Sequence, residues 1–379
     1  MSNMDRDDAS TAAVPPPPTA AGSPPALVVT GTPSPIMVWT LTDRGQTAGE
    51  VAGRLAAFVA GATSTLDIAV YDFALSASAL APLAAALAEA TRRGVQVRLT
   101  HNLQYGRPIP VPPPSALEPD QLEALGVPLR AIPGIPDLMH HKYVVRDGAF
   151  VWTGSLNWTD DAWDREENVV AVVSSSAVAT AFERDFEELW TTGAVQGTGA
   201  FDEEPARVGD AMVRTWFSPG RGRKLAHRIA TAIGRAERRI RIASPVITAG
   251  AILGTLADVA ADGKVDLAGV VDATQMHEVM RQWDRDPAAA WKPPALRSLL
   301  ARAPFAGKAS TPWRPGAVHD YMHAKVTVAD DIVFLGSYNL SNSGQQNAEN
   351  VLEIADPALA QRIALFVDDL RRRYPPLEL

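Results

Sequence analysis

One pattern, occurring twice, constrains this chain more than any other feature: a His, a Lys two residues on, an Asp five beyond that, then a Gly-Ser-x-Asn turn. The first copy reads His140, Lys142, Asp147, Gly154, Ser155 and Asn157; the second reads His323, Lys325, Asp330, Gly336, Ser337 and Asn339. The histidines stand 183 positions apart, so a duplication of that length fills nearly everything after the first few dozen residues. Two similar halves are expected. Two imidazoles, two ammonium groups and two amides in matched order are the inventory for handling one phosphate diester at one composite site.

The chain has 379 residues, 46% of them hydrophobic, enough for two domains with a normal core each. Thirty-five Lys and Arg against 43 Asp and Glu leave a net charge of −8, which opposes strong nonspecific attraction to nucleic acid or anionic membrane while allowing a local basic groove. Cysteine is absent, which excludes disulfides, thiolate chemistry and a Cys-built zinc site, and fits a cytoplasmic protein. The first residues lack the basic start and apolar stretch of an export signal. Apolar runs fall short of the roughly 18 to 20 residues of a membrane helix. Residues 1–34, rich in Pro, Ala, Ser and Thr, are expected to be a disordered tail, because they cannot bury enough apolar surface to offset ordering.

From residue 36 the periodicity gives two parallel series of elements. Opening strands at 36–39 and 212–217 are followed by helices at 48–60 and 224–235, then strands at 65–71 and 239–243. Helices at 77–92 and 249–260 stop near Gly94 and Gly263, and strands follow at 95–99 and 265–271. The motifs fall on strand pairs, 142–146 with 150–153 and 325–329 with 332–335, joined by turns at Asp147-Gly148 and Asp330-Asp331. Strand alternation puts His140 and Lys142 on one face, and likewise His323 and Lys325. Ten residues after each motif Asn comes an acid-Asn pair, Glu167-Asn168 or Glu349-Asn350, then strands at 169–173 and 351–354 and closing helices at 177–190 and 357–373. The expected domains are 35–200 and 205–379.

The pattern H-x-K-x4-D with G-S-x-N, present twice, resembles the phospholipase D superfamily, and the similarity extends over about residues 36–379. It includes Arg93-Gly94-Val95-Gln96-Val97-Arg98 before the first motif and the two Glu-Asn pairs after the motifs. The resemblance implies an α/β fold of two phospholipase D-like α-β-α sandwich domains packed as a pseudo-dimer, a monomer with an internal pseudo-twofold. It implies a phosphodiesterase that needs no metal or cofactor and works through a phosphohistidine, splitting one difficult displacement into two easier ones. His140 would be the nucleophile and His323 the general acid and then base, which requires one neutral and one protonated imidazole. Lys142 and Lys325 would hold the nonbridging phosphate oxygens and Asn157 and Asn339 would donate to them. Ser155 and Ser337 would support the turn or the phosphate, and Glu167 and Glu349 would each hydrogen-bond a histidine Nδ1. Asp147 and Asp330 belong to the motif but are expected to buttress turns.

Other residues carry plainer expectations. His141 points to the opposite strand face, as a packing or surface residue, and His101, His227, His277 and His319 have no partner pattern. Basic clusters at 221–224 and 235–241 read as solvated helix faces. Gly220-Arg221-Gly222 lacks the Lys-Ser or Lys-Thr continuation of a phosphate loop. Trp158 and Trp163 lie close enough to the first motif to line a pocket. The strand before the first motif ends His101-Asn102 where the second half has Asp272, so the halves are expected to be specialised. The proline stretch 108–114 and the insert 277–315, with Trp283, Trp291 and Trp313, are the expected cleft walls, where substrate would be selected. Phospholipid head groups, with peripheral membrane contact, are the favoured substrate. The rivals are a nuclease, suggested by Met139 to Lys142 and Gly154 to Thr159, and a cardiolipin synthase-like phosphatidyltransferase.

Overall fold

Strands such as Thr65–Val70 and Arg239–Ser244 bury both faces, which explains why they read as near-continuous apolar runs and not as strict alternation. The computed structural model describes residues 34–103, 116–314 and 316–379. The expected tail, Ser34 apart, and the proline stretch 108–114 lie outside the described residues. One mixed sheet runs, in spatial order, Ile36–Leu41, Asn168–Ser174, Phe150–Gly154, Lys142–Arg146, Thr65–Val70, Gln96–Asn102 and Leu129–Ile132. The second sheet repeats the order with Ala211–Ser218, Glu349–Ala355, Ile332–Gly336, Val326–Ala329, Arg239–Ser244, Asp266–Asp272 and Phe305–Lys308, and adds Ala206–Val208 at one edge. The two outermost strands, Leu129–Ile132 and Phe305–Lys308, were not expected from the sequence: four residues are too few to display a period.

Helices Ala48–Ala60 and Ala77–Arg92 cover the outer face of the first sheet, and Gly222–Arg235 and Gly250–Asp262 that of the second. Thr47 and Glu50 form a reciprocal capping box at the start of the first of these helices. The closing helices, Ser176–Thr192 and Pro357–Arg373, lie on the inner faces. Their Phe182, Phe186, Ile363 and Val367 join side chains from both sheets in one central core, while each half keeps a separate outer core. Phe182 of the first half meets Phe217 of the second edge-on at 5.0 Å. Residues 35–379 therefore form one compact body built from two repeats. Two of the arginines expected on solvated faces are instead buried in ion pairs, Arg221 with Asp202 and Arg241 with Asp368.

The seam between the halves is also hydrogen-bonded. Met139 pairs with Ala348 and Met322 with Glu167; His140 N donates to Ala348 O at 2.9 Å and His323 N to Glu167 O at 3.1 Å. Each motif thus begins where the chain crosses into the other repeat, an isologous contact within one polypeptide. No helix among the described residues is long and apolar enough to cross a membrane.

Candidate active site

The stretch leading into each motif is pinned by an equivalent side chain. Asn102 Oδ1 accepts from Met139 N and Asp272 Oδ2 from Met322 N, both at 3.0 Å. Asn102 is thus the uncharged counterpart of Asp272, which keeps the hydrogen bond and drops the charge. Asp272 also accepts from Ser310 Oγ, and burial pushes its carboxyl up to about 6.

His140 and His323 line a single narrow pocket together with Asn157, Asn339, Tyr71, Asp72, Glu166, Gln275, His319 and Tyr321. Each histidine is braced from the opposite repeat. Glu349 Oε2 lies 2.8 Å from His140 Nδ1, as expected. His323 Nδ1 meets Glu166 Oε2 at 3.2 Å and Asn168 Oδ1 at 3.3 Å. Glu167, expected in that role, points elsewhere: it accepts from Lys308 Nζ at 2.8 Å, from Asp43 N at 3.2 Å and from the Tyr374 hydroxyl.

Strand register explains this correction. Gly154 pairs with Val170 and Gly336 with Val351, while Ser155 N donates to Val169 O and Ser337 N to Asn350 O. The true counterpart of Glu349 is therefore Asn168. The first repeat has one extra residue between its motif Asn and the returning strand, which the matched interval of ten concealed. A one-residue slip turns a side chain to the other face, so Glu167 faces the ion cluster and Glu166 reaches the site.

Lys142 and Lys325 are buried, and each Nζ donates to the carbonyl of its own motif histidine, at 2.6 and 2.7 Å. The Oδ1 atoms of Asn157 and Asn339 are buried without a hydrogen-bond partner. Amide orientation is set by such partners, so both amides are able to turn Nδ2 toward an anion in the pocket. Ser155 Oγ is occupied, donating to Asn168 Oδ1 at 2.7 Å and accepting from Val169 N, and Ser337 Oγ accepts from Asn350 N. These serines hold the turns and are not among the lining residues. Trp158 and Trp163 are also buried behind the site, where Trp163 Nε1 donates to Asn157 O. Asp147 and Asp330 sit at the far ends of the motif strands and cap backbone turns.

Burial sets the charge states. Burial, then Lys142 and Lys325, holds the His140 imidazole well below its usual range; burial, then Lys325 and Lys142, does the same to His323. Backbone hydrogen bonds with Ser337 and Ser155 pull the other way. Lys142 is lowered to about 8 and Lys325 well below its usual value, both chiefly by burial. Burial raises Glu349 to about 7 and Glu166 to about 8. A phosphodiester monoanion entering the pocket would supply the charge that favours the ammonium groups and one imidazolium.

Sequence reasoning missed several lining residues besides Glu166, among them Asp72, Tyr71, Gln275, His319 and Tyr321. Asp72 is buried, accepts from Ala116 N at 2.8 Å and is raised to about 7 by burial. Tyr71 packs edge-on to His140 with ring centroids 4.6 Å apart. Gln275 occupies the first turn of the helix Ala273–Trp283. His319 stacks on Tyr321 at 5.4 Å. The one available signal was position: Asp72 and Gln275 lie just past the carboxyl ends of parallel-paired strands, where α/β sheets bind ligands. His141 is wholly buried, its Nε2 3.0 Å from Asp185 Oδ2, while His101 is buried and His227 and His277 are exposed. Among the described residues no group of three or more His, Asp or Glu is arranged to hold a metal ion.

The fold and site define a duplicated α/β protein with one two-histidine pocket on its internal pseudo-twofold. The chain belongs to the phospholipase D superfamily: residues 55–190 and 229–370 both match the PLD-like domain of the cardiolipin synthase type. It is 33% identical over 137 residues to the mitochondrial cardiolipin hydrolase of Xenopus laevis, a match covering 36% of this chain and 60% of that protein. It is similar in structure to phosphatidylserine synthase from Haemophilus influenzae Rd KW20, with a TM-score of 0.64, 13% identity, and 90% of this chain and 87% of that one covered. It is also similar to polyphosphate kinase from Porphyromonas gingivalis, with a TM-score of 0.55, 14% identity, and 89% and 47% covered. At these identities the two structures speak to the fold alone.

Proposed function

We propose that the protein is a phosphodiesterase that hydrolyses phospholipid head groups through a phosphohistidine. The observation that carries this reading is the crossed bracing of two buried histidines at one pocket, His140 by Glu349 and His323 by Glu166. A carboxylate on Nδ1 fixes the proton there and leaves the Nε2 lone pair for attack. His140, with the shorter carboxylate contact, is the nucleophile. Its Nε2 forms a bond to phosphorus as the bond from phosphorus to the leaving oxygen breaks, and His323 gives that oxygen its proton. In the second step His323 takes a proton from water, the resulting hydroxide oxygen bonds to phosphorus, and the bond from His140 to phosphorus breaks. Asn157 and Asn339 donate to the nonbridging oxygens, and Lys142 and Lys325 stabilise the developing charge from beneath the histidines.

The phospholipid preference draws support from the net charge of −8 and from the pocket itself, whose lining includes neither lysine. A long polyanion gains affinity by neutralising many phosphates with surface cations, and this pocket offers no such row. The test is turnover in EDTA of phosphatidylglycerol, phosphatidylcholine, and single- and double-stranded DNA and RNA, beside His140→Ala and His323→Ala. Head-group release reduced at least about a thousandfold in both variants is expected. Strand cleavage without lipid turnover would make the protein a nuclease. Capture of an added alcohol in place of water would make it a phosphatidyltransferase. Variants as active as wild type would overturn the two-histidine mechanism.

A further inference from the structure

The residue after the first motif histidine opens a buried polar network behind the pocket. His141 and Asp185 are wholly buried, and His141 Nε2 stands 3.0 Å from Asp185 Oδ2, which also accepts from the Tyr143 hydroxyl at 3.0 Å. The network then crosses the seam: Asn350 Nδ2 lies 3.1 Å from His141 Nδ1, and Thr153 Oγ1 donates to Asn350 Oδ1 at 2.6 Å. Asn350 directly follows Glu349, the carboxylate on His140. Resting on the phosphodiesterase reading, we propose that Asp185, His141 and Asn350 are positioning residues that act through Ser337 on Glu349 and so single out His140 as the nucleophile.

The hydrogen bonds leave each proton one place to go. The Asn350 amide presents Oδ1 to Thr153 and Nδ2 to His141, so His141 Nδ1 accepts and the ring proton sits on Nε2, facing Asp185. Ser337 Oγ spends both lone pairs on Asn350, accepting from its N at 3.0 Å and its Nδ2 at 3.4 Å. The single O–H is left for Glu349, which it hydrogen-bonds. Glu349 in turn meets His140 Nδ1 at 2.8 Å.

Behind His323 the pseudo-twofold repeats none of this. By register, His141, Tyr143, Thr153, Asp185 and Asn350 correspond to Ala324, Val326, Leu335, Phe366 and Val169, all buried and apolar. Ser155 still donates to Asn168, the counterpart of Glu349, but the chain of bonds ends at Val169. The fold therefore accepts apolar packing at these positions, and a buried polar network stabilises no better than a well-packed apolar one. What the polar version adds is confined to the His140 side, where it orients a carboxylate and, through it, one imidazole.

The test measures kcat and KM of the full chain for bis(4-nitrophenyl) phosphate. Its 4-nitrophenolate leaves without needing a proton, so the rate reads the nucleophile more than the general acid. Asp185→Asn and Asn350→Val are expected to lower kcat about tenfold with KM within about twofold of wild type, and Thr153→Val to lower kcat in the same direction. Asp185→Asn and Thr153→Val keep the side-chain shape, so the network is tested even if Asn350→Val fails to fold. Combined with Glu349→Gln, Asp185→Asn is expected to cost less than about twofold more, whereas combined with Glu166→Gln it keeps its full loss. A side chain that only packs would add in both backgrounds. Full kcat in all three single variants, or the same further loss in the Glu349→Gln background as in the Glu166→Gln one, would overturn the positioning role alone. A wild type inert on this ester and on phosphatidylglycerol would overturn the phosphodiesterase reading, and the role with it.

Discussion

At the residue scale, the contact of Glu166 with His323 can be tested through its proton. Burial raises the Glu166 carboxyl to about 8, against an ordinary glutamate value of 4.5. A group raised on folding contributes stability that is fully present below its unfolded value and is lost as pH rises through the folded one. Glu166→Gln cannot titrate, so its melting temperature should climb relative to wild type between pH 5 and pH 8. The slope would be at most about 1.4 kcal/mol per pH unit. A constant difference across that range would show that Glu166 is ionised in the folded protein. The same variant should lose about a hundredfold in kcat, because an amide cannot give up a proton to become the carboxylate that balances the His323 imidazolium when substrate is bound. Glu167→Ala acts differently, leaving buried Lys308 with the Arg165 carbonyl at 3.0 Å and the more distant Asp43 carboxylate at 3.6 Å; a loss of about 3 kcal/mol in urea unfolding is expected.

At the element scale, the motif aspartates tie strands together away from the chemistry. Asp147 and Asp330 adopt positive φ, 55° and 51°, a conformation Asp tolerates better than most side chains. Asp147 accepts from the backbone of Thr63, Ser64 and Thr65, and Asp330 from that of Glu237, Arg238 and Arg239. Asp330→Ala should therefore cost about 1–3 kcal/mol in urea unfolding and leave kcat within about threefold. A large loss of kcat in a fully folded variant would return the aspartate to the site. Gly154 is constrained for a different reason. A Cβ there would stand 2.1 Å from Val169 O, so Gly154→Ala must part the motif strand from its neighbour and should lose more than about 2 kcal/mol along with activity. The long outer helices and central strands were legible because each spans several periods. The helices Ala273–Trp283 and Lys292–Leu300 were not expected from the sequence; the second is short and opens on Pro293 and Pro294, which suit a first turn but read as a break.

At the scale of the whole molecule, the shared central core makes the two repeats interdependent. Each histidine takes its carboxylate from the other repeat, so neither half contains a complete site. Fragments 35–200 and 205–379 expressed separately should be inactive. Cleavage at a protease site placed between Glu203 and Glu204 should leave the halves associated and active, because the central core and the Met139–Ala348 and Met322–Glu167 bridges hold them without the linker. Dissociation of the cleaved protein on size exclusion would contradict that. Calorimetry of the intact chain should show one transition.

The duplicated motif by itself determined the superfamily, the α/β class, the pairing of repeats and the histidines, lysines and asparagines to examine, because residue type and spacing survive on one strand whatever surrounds it. Only the tertiary structure decided which glutamate serves His323, because register across a seam depends on hydrogen bonds between distant strands and not on counted intervals. It also decided that Asp72, Gln275 and His319 face the site. These residues carry no local pattern and reach the pocket only because the sheet edges of two repeats converge around a common core.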